Sequence, residues 1–464
     1  MGYIKTLLKK QIALKKEAAV INEEFIYSPT KVIKEMDVIS NNFKHFKKGE
    51  KIGLVVDHSL RSLMILLTII EQEYSLLPLD SKCTVSEIER VKKVTETSVW
   101  IIPDTYNYES LSTSSCYTYS EVYSEQLKRP NNNYEAESES LYMLTSGTRG
   151  ITKIAKIPYY SLWRGAESYR DWFDIKHTDT IISTVPLTHS YGLIGACLTS
   201  IFSQATLYLC KNPTPRKVIN AVHASKSTIL FGVPVFYNIL TQAQKITKID
   251  LETLRLIISS GGPLDNIVKG EFFRKFGLPI QQVYGSTETG AIAATHPVRK
   301  SSLNAVGYIL PNVKVETSNN GCLKVQSHTV FNGYLTEVGE HSLVINRTFE
   351  TGDYGYVKNG EVFLKGRAKT FINVGGRKIN PTEIERALVD HPYITDSRVL
   401  GEVDTLYGER IVAYVQAQSE YLTIECVKEF LERRLAEYKL PHQIKIVQEI
   451  SKSWKEKYIE GDRY

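Results

Sequence analysis

The chain has 464 residues, with 42% hydrophobic and 23% charged residues, a length typical of about three structural units. These proportions are those of ordinary globular proteins, and they exclude a disordered tail, a collagen-like repeat and a disulfide miniprotein. Lys+Arg 57 against Asp+Glu 51 leaves a net charge of +6. Because this surplus is small for the length, it does not support a nucleic-acid partner, and none is predicted.

The cysteines and the apolar stretches predict a reduced, cytoplasmic protein without stable membrane insertion. The six cysteines form no C-x-x-C pair and have no His at metal spacing, whereas secreted scaffolds pack cysteines more densely. The longest apolar stretch, residues 63–70, is far shorter than the roughly 20 residues that span a bilayer. It predicts a buried helix instead.

The N-terminus leaves two alternatives open. Residues 1–6 match the loose myristoylation pattern, although a chance match is favoured for so short a motif. The next residues form one apolar helical face, flanked by lysines, that consists of Ile4, Leu7, Leu8 and Ile12. Such a helix would make peripheral contact with an anionic membrane, but packing against the rest of the protein is the favoured interpretation. Basic residues recur through this region, so no secretory signal is predicted.

The first part of the chain predicts an α/β body. Residues 51–80 are strand, helix and strand in turn, which favours a parallel sheet covered by helices. Residues 104–140 are rich in Ser, Tyr, Asn and Glu and are predicted to be mostly surface loop. Alternation of strands and helices then resumes at residue 141 and continues past 290.

The second part predicts two smaller pieces. Residues 305–365 contain short β segments separated by Asn-Gly turn signals. After residue 367 a compact α+β segment follows, with helices expected at about 381–389 and 427–438. The predicted fold class is therefore α/β: an N-terminal body of parallel α/β sheets over residues 1–368, with a β-rich subdomain at about 300–366, and a smaller α+β C-terminal domain over 369–464.

A candidate phosphate-binding loop follows the apolar strand at 141–144. Glycine lets backbone N–H groups approach phosphate oxygens, hydroxyls donate further hydrogen bonds, and lysine balances the charge. The spacing is not that of the P-loop motif, and an ordinary polar turn is the alternative. The candidate residues are Thr145, Ser146, Gly147, Thr148, Gly150 and Lys153.

Two further blocks follow in chain order. The first is Val283-Tyr-Gly-Ser-Thr-Glu-Thr-Gly290, preceded by a strand and a glycine pair at residues 254–264. The second begins with Thr351-Gly-Asp353 and continues through Gly366-Arg367 to the segment 372–385.

Together these blocks resemble the adenylate-forming, AMP-binding enzymes, which include the acyl-CoA synthetases. The resemblance covers about residues 50–457, with the blocks in the family's order. It implies that the protein uses ATP and Mg²⁺, with CoA as the acceptor substrate. The chain departs from the family pattern at Arg149, Thr152 and Ile154 in the phosphate loop, and at Asn373, where many members carry Lys.

The resemblance also implies a role for each residue of the nucleotide site. Tyr284 would stack on adenine, Thr287 would contact the α-phosphate, and Glu288 would hold Mg²⁺, since a single carboxylate beside a triphosphate suits this ion. Asp353 would accept hydrogen bonds from both ribose hydroxyls, and Arg367 would contact the same sugar. Glycines that would let the backbone pass close to the nucleotide are Gly261, Gly262 and Gly285.

The C-terminal residues carry the remaining predicted roles. Lys369 stands where such enzymes rotate their C-terminal domain as a lid. The resemblance places a pantetheine arm beside Gly375 and Gly376, for which a plain left-handed turn is the alternative. Lys457 has the spacing of the family's terminal lysine, which binds the carboxylate where charge develops during adenylation. A solvated lysine run at the chain end is the other interpretation of that segment.

The segment 185–193 resembles the wall of the acid pocket in acyl-CoA synthetases. His189 would lie near the carboxylate, with an ordinary buried histidine as the alternative, and Gly192 would leave room for the acid. No acidic residue lies between Thr180 and Ile249. A free α-amino substrate is therefore disfavoured, because its buried cation would lack a partner. The apolar residues 231–237 suit a fatty tail, or an aryl one.

The predicted function is ATP-dependent activation of a carboxylic acid, a fatty acid being favoured, as the acyl-adenylate, followed by transfer to CoA. Two alternatives stay open. One is an adenylation enzyme that loads a phosphopantetheinyl acyl carrier protein. The other is a non-catalytic AMP-binding relative, an alternative that would explain the altered phosphate loop and terminal motif. The oligomeric state is not predicted.

Overall fold

The computed structural model describes residues 3–97, 99–106, 115–124, 127, 139–145, 153–336, 339–367, 371–417, 422–448 and 450. These residues divide into two compact units. The larger unit runs from the N-terminus to residue 367 without residues 82–91, and the smaller unit consists of residues 82–91 and the described part of the chain from 371 onward.

The described helices begin and end as follows. The α-helices are α1 (Tyr3–Ala13), α2 (Pro29–Asn42), α3 (Leu60–Glu71), α4 (Val85–Thr95), α5 (Tyr119–Ser124), α6 (Tyr159–Phe173), α7 (Thr199–Phe202), α8 (Pro215–Ser225), α9 (Pro234–Gln242), α10 (Asn266–Phe276), α11 (Pro381–Val389) and α12 (Ile424–Glu432). A π-helix covers Tyr191–Leu198, and 3₁₀ helices cover Lys248–Leu251 and Glu437–Lys439.

The described strands are β1 (Val20–Ile21), β2 (Ile26–Tyr27), β3 (Lys51–Val56), β4 (Ser75–Asp80), β5 (Val99–Ile102), β6 (Cys116–Thr118), β7 (Ser140–Thr145), β8 (Lys153–Pro158), β9 (Thr180–Ser183), β10 (Thr206–Leu209), β11 (Ile229–Gly232), β12 (Leu256–Ser259), β13 (Ile280–Ser286), β14 (Gly290–Ala294), β15 (Gly307–Ile309), β16 (Val313–Thr317), β17 (Cys322–Ser327), β18 (Gly333–Thr336), β19 (Gly339–His341), β20 (Thr348–Lys358), β21 (Glu361–Arg367), β22 (Ile372–Val374), β23 (Arg377–Ile379), β24 (Ile394–Asp404), β25 (Gly408–Ala417) and β26 (Gln443–Val447).

The larger unit contains two sheets, and both are mixed rather than wholly parallel. A 13-stranded sheet has the order β16-β17-β20-β21-β15-β14-β13-β12-β11-β9-β10-β1-β2, and it is parallel from β13 to β1. An 8-stranded sheet has the order β19-β18-β8-β7-β4-β3-β5-β6, and it is parallel from β7 to β6. In each sheet the pairing changes from parallel to antiparallel between strands that follow each other directly in the chain, β13 with β14 and β7 with β8. A parallel partner would require a crossover of a dozen or more residues.

The apolar stretch at 63–70 is the centre of α3, which is buried along nearly its whole length. Ser59 caps the helix by accepting a hydrogen bond from the backbone of Ser62. A helix that is apolar on all sides is expected to lie inside the protein, as this one does. No helix within the described ranges is long and apolar enough to cross a membrane.

Helix α1 packs its apolar stripe into the core of the larger unit. Ile4, Leu7 and Leu8 are buried, and Gln11 completes the buried face, whereas Ile12 is 41% exposed. The first turn is fixed by Glu71, whose carboxylate accepts a hydrogen bond of 2.8 Å from the backbone N–H of Ile4. Three of the four apolar residues of the predicted face, Ile4, Leu7 and Leu8, are therefore committed to internal packing.

The polar stretch at 104–140 contains more structure than the sequence predicted. Strand β6 extends the parallel part of the 8-stranded sheet, and α5 follows it directly. Tyr119 is 2% exposed, and its hydroxyl donates to the backbone oxygen of Val55, while Val122 is fully buried. Two buried side chains at helical spacing thus fix a short helix inside a segment whose composition indicated a loop.

The smaller unit has its own core. Its five described strands, β22 to β26, form one sheet. The apolar faces of α11 and α12 pack on this sheet, and the core includes Ile411 and Ala413 of β25 and Leu431 of α12. The predicted helix at 381–389 has these bounds in the structure, whereas the helix expected at 427–438 begins at Ile424 and ends at Glu432. Its start is set by Thr423, whose side chain accepts a hydrogen bond from the backbone of Cys426.

Candidate active site

The candidate site lies at the carboxyl ends of the parallel strands β9, β11, β12 and β13. Adjacent parallel strands end at the same edge of a sheet, and in open α/β sheets ligands bind outside this edge. The segments that follow three of these strands are 184–190, 260–264 and 287–289. Motifs separated by a hundred residues in the sequence are therefore brought together by the sheet.

Side-chain contacts connect these segments. The hydroxyls of Ser190 and Thr287 lie 3.4 Å apart. The hydroxyl of Ser260 donates a hydrogen bond of 2.9 Å to the backbone oxygen of Val283. Gly261, the next residue, has φ +89°, a left-handed conformation that favours glycine. The acid-pocket segment, the glycine pair and the Tyr-Gly-Ser-Thr-Glu block therefore form one continuous surface.

The turn between β13 and β14 carries two predicted ligands of the nucleotide. Thr287 and Glu288 lie in this three-residue connection, and both are half-buried. The strand pairing shifts register between Tyr284 and Gly285. A Cβ atom on Gly285 would lie 2.2 Å from the backbone oxygen of Gly290. Only glycine lets the two strands approach this closely, so Gly285 determines the shape of the turn.

The residues predicted to bind adenine and ribose are in direct contact. The hydroxyl of Tyr284 donates a hydrogen bond of 2.9 Å to Oδ2 of Asp353 on β20. The backbone of Asp353 pairs with that of Arg367 on β21, which makes the two predicted ribose ligands cross-strand neighbours. The structure thus brings together three residues that the sequence assigned to one nucleoside.

The phosphate side of the site is organised around Tyr334, a residue that sequence reasoning missed. Its hydroxyl donates a hydrogen bond of 2.7 Å to Oε1 of Glu288. The Nζ atom of Lys153 lies 5.0 Å from the centroid of the Tyr334 ring. No spacing rule connects residue 334 with residue 288 or 153. The antiparallel pairing of β18 with β8 brings Tyr334 to Lys153, and the hydrogen bond from the N–H of Phe331 to the backbone oxygen of Glu288 brings the same segment to the turn.

The strands that precede and follow the candidate phosphate loop, β7 and β8, form an antiparallel pair. Thr145 and Lys153 are paired residues at the ends of β7 and β8, and the hydroxyl of Thr145 donates a hydrogen bond of 3.1 Å to the backbone oxygen of Lys153. Several predicted site residues lie outside the described residues, namely Ser146, Gly147, Thr148, Gly150, Lys369 and Lys457.

The donor set is compatible with Mg²⁺. Among the described residues no group of three or more His, Cys, Asp or Glu side chains could hold a metal ion alone. Mg²⁺ does not need such a cage, since it usually binds through one or two carboxylates together with substrate phosphates and water. Glu288, half-buried and in contact with Tyr334, could supply a carboxylate of this kind.

The segment around His189 leads into the π-helix Tyr191–Leu198. His189 is exposed, so the alternative of an ordinary buried histidine does not hold. A Cβ atom on Gly192 would lie 2.2 Å from the backbone oxygen of Pro186, so the protein's own backbone already requires a glycine there. That Gly192 also leaves room for the acid stays a prediction. π-Helices occur frequently at functional sites.

Aromatic side chains form the wall behind this segment. The Tyr191 ring lies 5.6 Å from that of Phe231 and 6.4 Å from that of Tyr169, between ring centroids. The Tyr191 hydroxyl donates a hydrogen bond of 2.9 Å to the backbone oxygen of Ile258. Burial raises the pKa of Tyr191 well above its usual value, so the hydroxyl stays a neutral donor. Phe231, assigned to the acid tail, is fully buried in this wall, whereas Tyr237, assigned to the same tail, is fully buried in a separate cluster with Phe236 and Phe272.

In the smaller unit, Gly375 and Gly376 connect β22 with β23. Their φ angles are +59° and +84°. A two-residue hairpin turn of this type requires positive φ at both positions. The turn geometry therefore accounts for both glycines without a ligand.

Comparison with known proteins connects these sites with one family. Residues 14–335 match the AMP-binding enzyme family, and residues 383–457 match the C-terminal domain of AMP-binding enzymes. Indoleacetate–CoA ligase of Aromatoleum aromaticum is 29% identical over 329 residues, which are 68% of this chain and 64% of that enzyme. 2-Succinylbenzoate–CoA ligase of Listeria monocytogenes is 25% identical over 415 residues, 88% of this chain and 87% of that enzyme.

A solved structure shows the same fold. o-Succinylbenzoate CoA synthetase of Bacillus subtilis superimposes with a TM-score of 0.84 at 20% identity, covering 96% of this chain and 95% of that one. The predicted fold class, a large α/β body followed by a smaller C-terminal domain, is confirmed.

Proposed function

Because the chain belongs to the AMP-binding enzyme family, we propose that it is an acid–thiol ligase that uses ATP to join a carboxylic acid to CoA. The observation that carries this proposal is the contact between Tyr284 and Asp353 at 2.9 Å, beside the turn that bears Glu288. Tyr284 thus contributes an aromatic ring suited to adenine, Asp353 an acceptor suited to a diol, and Glu288 in the following turn a carboxylate suited to Mg²⁺.

In the first step, an oxygen of the substrate carboxylate attacks the α-phosphorus of ATP, and the bond to the bridging oxygen breaks, so that pyrophosphate leaves. Thr287 and Lys153 donate to the phosphates, and Lys457 binds the carboxylate as charge develops between the reacting groups. Glu288 would hold Mg²⁺, which would supply further charge neutralisation on the phosphates. We assign His189 to the place where the substrate carboxylate would enter.

In the second step, the sulfur of CoA attacks the acyl carbon, the bond from that carbon to the phosphate oxygen breaks, and AMP leaves as the thiol proton is released. We assign residues 369–464 to a lid that rotates near Lys369 between the two steps, as lids do in other multistep enzymes. The turn at Gly375 and Gly376 would then border the pantetheine arm.

The substrate is proposed to be an acid with an apolar tail, a fatty acid in the first place and an aryl acid in the second. The aromatic wall formed by Tyr191, Phe231 and Tyr169 supports an apolar tail, and the lack of acidic residues between 180 and 249 disfavours an ammonium group. The relatives named above act on indoleacetate and 2-succinylbenzoate, which supports the aryl alternative. The six free cysteines support a location in the cytoplasm.

The decisive experiment is acid-dependent ATP–pyrophosphate exchange across a panel of fatty and aryl acids, followed by acyl transfer to CoA or to a phosphopantetheinyl carrier protein. Exchange with at least one acid and transfer to CoA are expected, and Lys457→Ala should abolish the exchange. Transfer to the carrier alone would make the protein a carrier-loading enzyme. Nucleotide binding without exchange on any acid would make it a non-catalytic relative, and an unchanged Lys457→Ala would refute the role of that lysine.

A further inference from the structure

We propose that Tyr334 is a positioning residue for adenylation. Its hydroxyl orients the Glu288 carboxylate, and its ring faces Lys153, so that one side chain sets the spacing between the carboxylate that holds Mg²⁺ and the cation that faces the phosphates. The role of Tyr334 in catalysis rests on the proposed function. The contacts from which it is inferred all lie within the larger unit.

The Tyr334 ring is held firmly by other aromatic rings. It is 7% exposed, and its centroid lies 4.7 Å from that of Phe331, at an interplanar angle of 71°. Phe349 lies edge-on to both rings. Edge-to-face packing of this kind is directional, so the ring has one orientation and its hydroxyl has one position.

The backbone around Tyr334 is joined to the turn that carries Glu288. The N–H of Phe331 donates a hydrogen bond of 2.8 Å to the backbone oxygen of Glu288. The hydroxyl of Thr329 donates one of 2.6 Å to the backbone oxygen of Thr289. These two bonds hold the turn itself. The Tyr334 hydroxyl is a third contact, and it alone of the three reaches the carboxylate.

The same segment is also joined to the phosphate loop. Strand β18 pairs with β8, and Tyr334 is in register with Ala155, two residues from Lys153. The Nζ atom of Lys153 lies 5.0 Å from the ring centroid, a distance at which a cation is attracted to the ring face. The ammonium thus has a neutral partner in Tyr334, which leaves its charge available for a phosphate.

A neutral donor suits this position chemically. An ionised carboxylate has about four lone-pair positions, and the Tyr334 hydroxyl occupies one of them on Oε1. The remaining positions on Glu288 are left for the metal and its water. A hydroxyl fixes the direction of the carboxylate without cancelling its charge, which a lysine or arginine in the same place would do.

The test is Tyr334→Phe, which keeps the packed ring and removes only the hydroxyl. ATP binding is measured by calorimetry in Mg²⁺ and again in EDTA, and the affinity of the enzyme–ATP complex for Mn²⁺ is measured by electron paramagnetic resonance. We expect Tyr334→Phe to weaken Mn²⁺ binding and Mg²⁺-dependent ATP binding by about 10- to 100-fold, the range for partners of metal ligands. ATP binding in EDTA and the unfolding midpoint should stay at the wild-type values.

Two controls separate positioning from structure. Tyr308→Phe removes a hydroxyl that donates an exposed hydrogen bond of 2.9 Å to the backbone oxygen of Lys300. This variant should change neither the Mn²⁺ affinity nor the Mg²⁺-dependent ATP binding. In a Glu288→Gln background, Tyr334→Phe should have little further effect, because the group it orients is already altered. Equal losses in both backgrounds would show a structural role and overturn the inference.

The remaining outcomes are also decisive. Wild-type metal affinity in Tyr334→Phe would overturn the inference, and so would a wild-type protein whose ATP binding does not respond to Mg²⁺. If the wild-type protein binds Mg²⁺ and ATP but exchanges pyrophosphate with no acid, the ligase proposal fails, while the calorimetry still decides the role of Tyr334.

Discussion

Replacing Gly285 with Ala tests whether the close approach of β13 and β14 shapes the site. The added Cβ atom would lie 2.2 Å from the backbone oxygen of Gly290 and 2.9 Å from Cα of Ala291. Ordinary contact begins at about 3.4 Å, so the strands must separate by about 1.2 Å. Both obstructing atoms belong to the backbone and cannot rotate away. Overpacking of this kind costs about 1–3 kcal/mol of stability.

The functional effect should exceed the loss of stability. Tyr284 precedes Gly285, and the turn with Thr287 and Glu288 follows it, so a strand displacement moves these ligands directly. A misplacement of about 1 Å costs on the order of 100-fold in rate. We therefore expect ATP–pyrophosphate exchange to fall by about 100-fold in Gly285→Ala, in protein whose circular dichroism shows that it is folded.

Gly270→Ala is the matched control. Gly270 lies inside α10, and nothing lies within 4 Å of the position that a Cβ atom would occupy. Alanine in a helix interior should stabilise the protein by about 0.5–1 kcal/mol, with unchanged exchange. Wild-type exchange and stability in Gly285→Ala would refute the reasoning, since the two strands would then have to separate without any effect on the turn between them.

Three further predictions concern the rest of the larger unit. Asp353→Ala should raise the KM for ATP by about 10- to 100-fold, as expected for lost hydrogen bonds to a charged group, and the variant should discriminate less than wild type against 2′-deoxy-ATP in steady-state kinetics. Glu71→Ala removes the acceptor of the Ile4 N–H and should lower the unfolding free energy by about 1 kcal/mol, measured by urea denaturation. Burial alone would raise the pKa of Asp179, but hydrogen bonds from Arg255, the backbone of residue 176 and the hydroxyl of residue 228 outweigh it and hold that pKa below its usual value. The stability from this carboxylate is therefore present above the unfolded pKa of about 4 and is lost as pH falls through the folded one, so Asp179→Asn should flatten the acid side of the unfolding profile.

Hydrophobic periodicity and turn signals in the sequence predicted those elements whose bounds are set by neighbouring residues. The apolar run in α3, the bounds of α11 and the hairpin strand β16 all follow from composition and turn signals. Antiparallel pairing between strands distant in the chain, such as β18 with β8, was not predicted. The sequence does not show which distant strand lies beside which. Helix α5 was missed for a similar reason, since Tyr119 and Val122 are buried by elements distant in the chain.

The same distinction applies to the site. Tyr284, Glu288 and Asp353 were identified from motifs, and the structure brings Tyr284 and Asp353 into contact. Tyr334 has no motif that its spacing reveals, and its role depends on the register between β18 and β8. The sequence assigned Gly192 to the acid pocket, and it could not show that the nearby backbone of Pro186 by itself requires a glycine there.

The strand order of the 8-stranded sheet has a consequence for synthesis on the ribosome. Strand β8 ends at residue 158, whereas β18, its outer partner, ends at residue 336. At about 5–20 residues per second, the ribosome needs roughly 9–36 s between these points. During that interval the outer edge of β8 is an unpaired strand edge, which is a template for association with other chains. The nascent protein is therefore expected to depend on chaperones until the strand that carries Tyr334 has emerged.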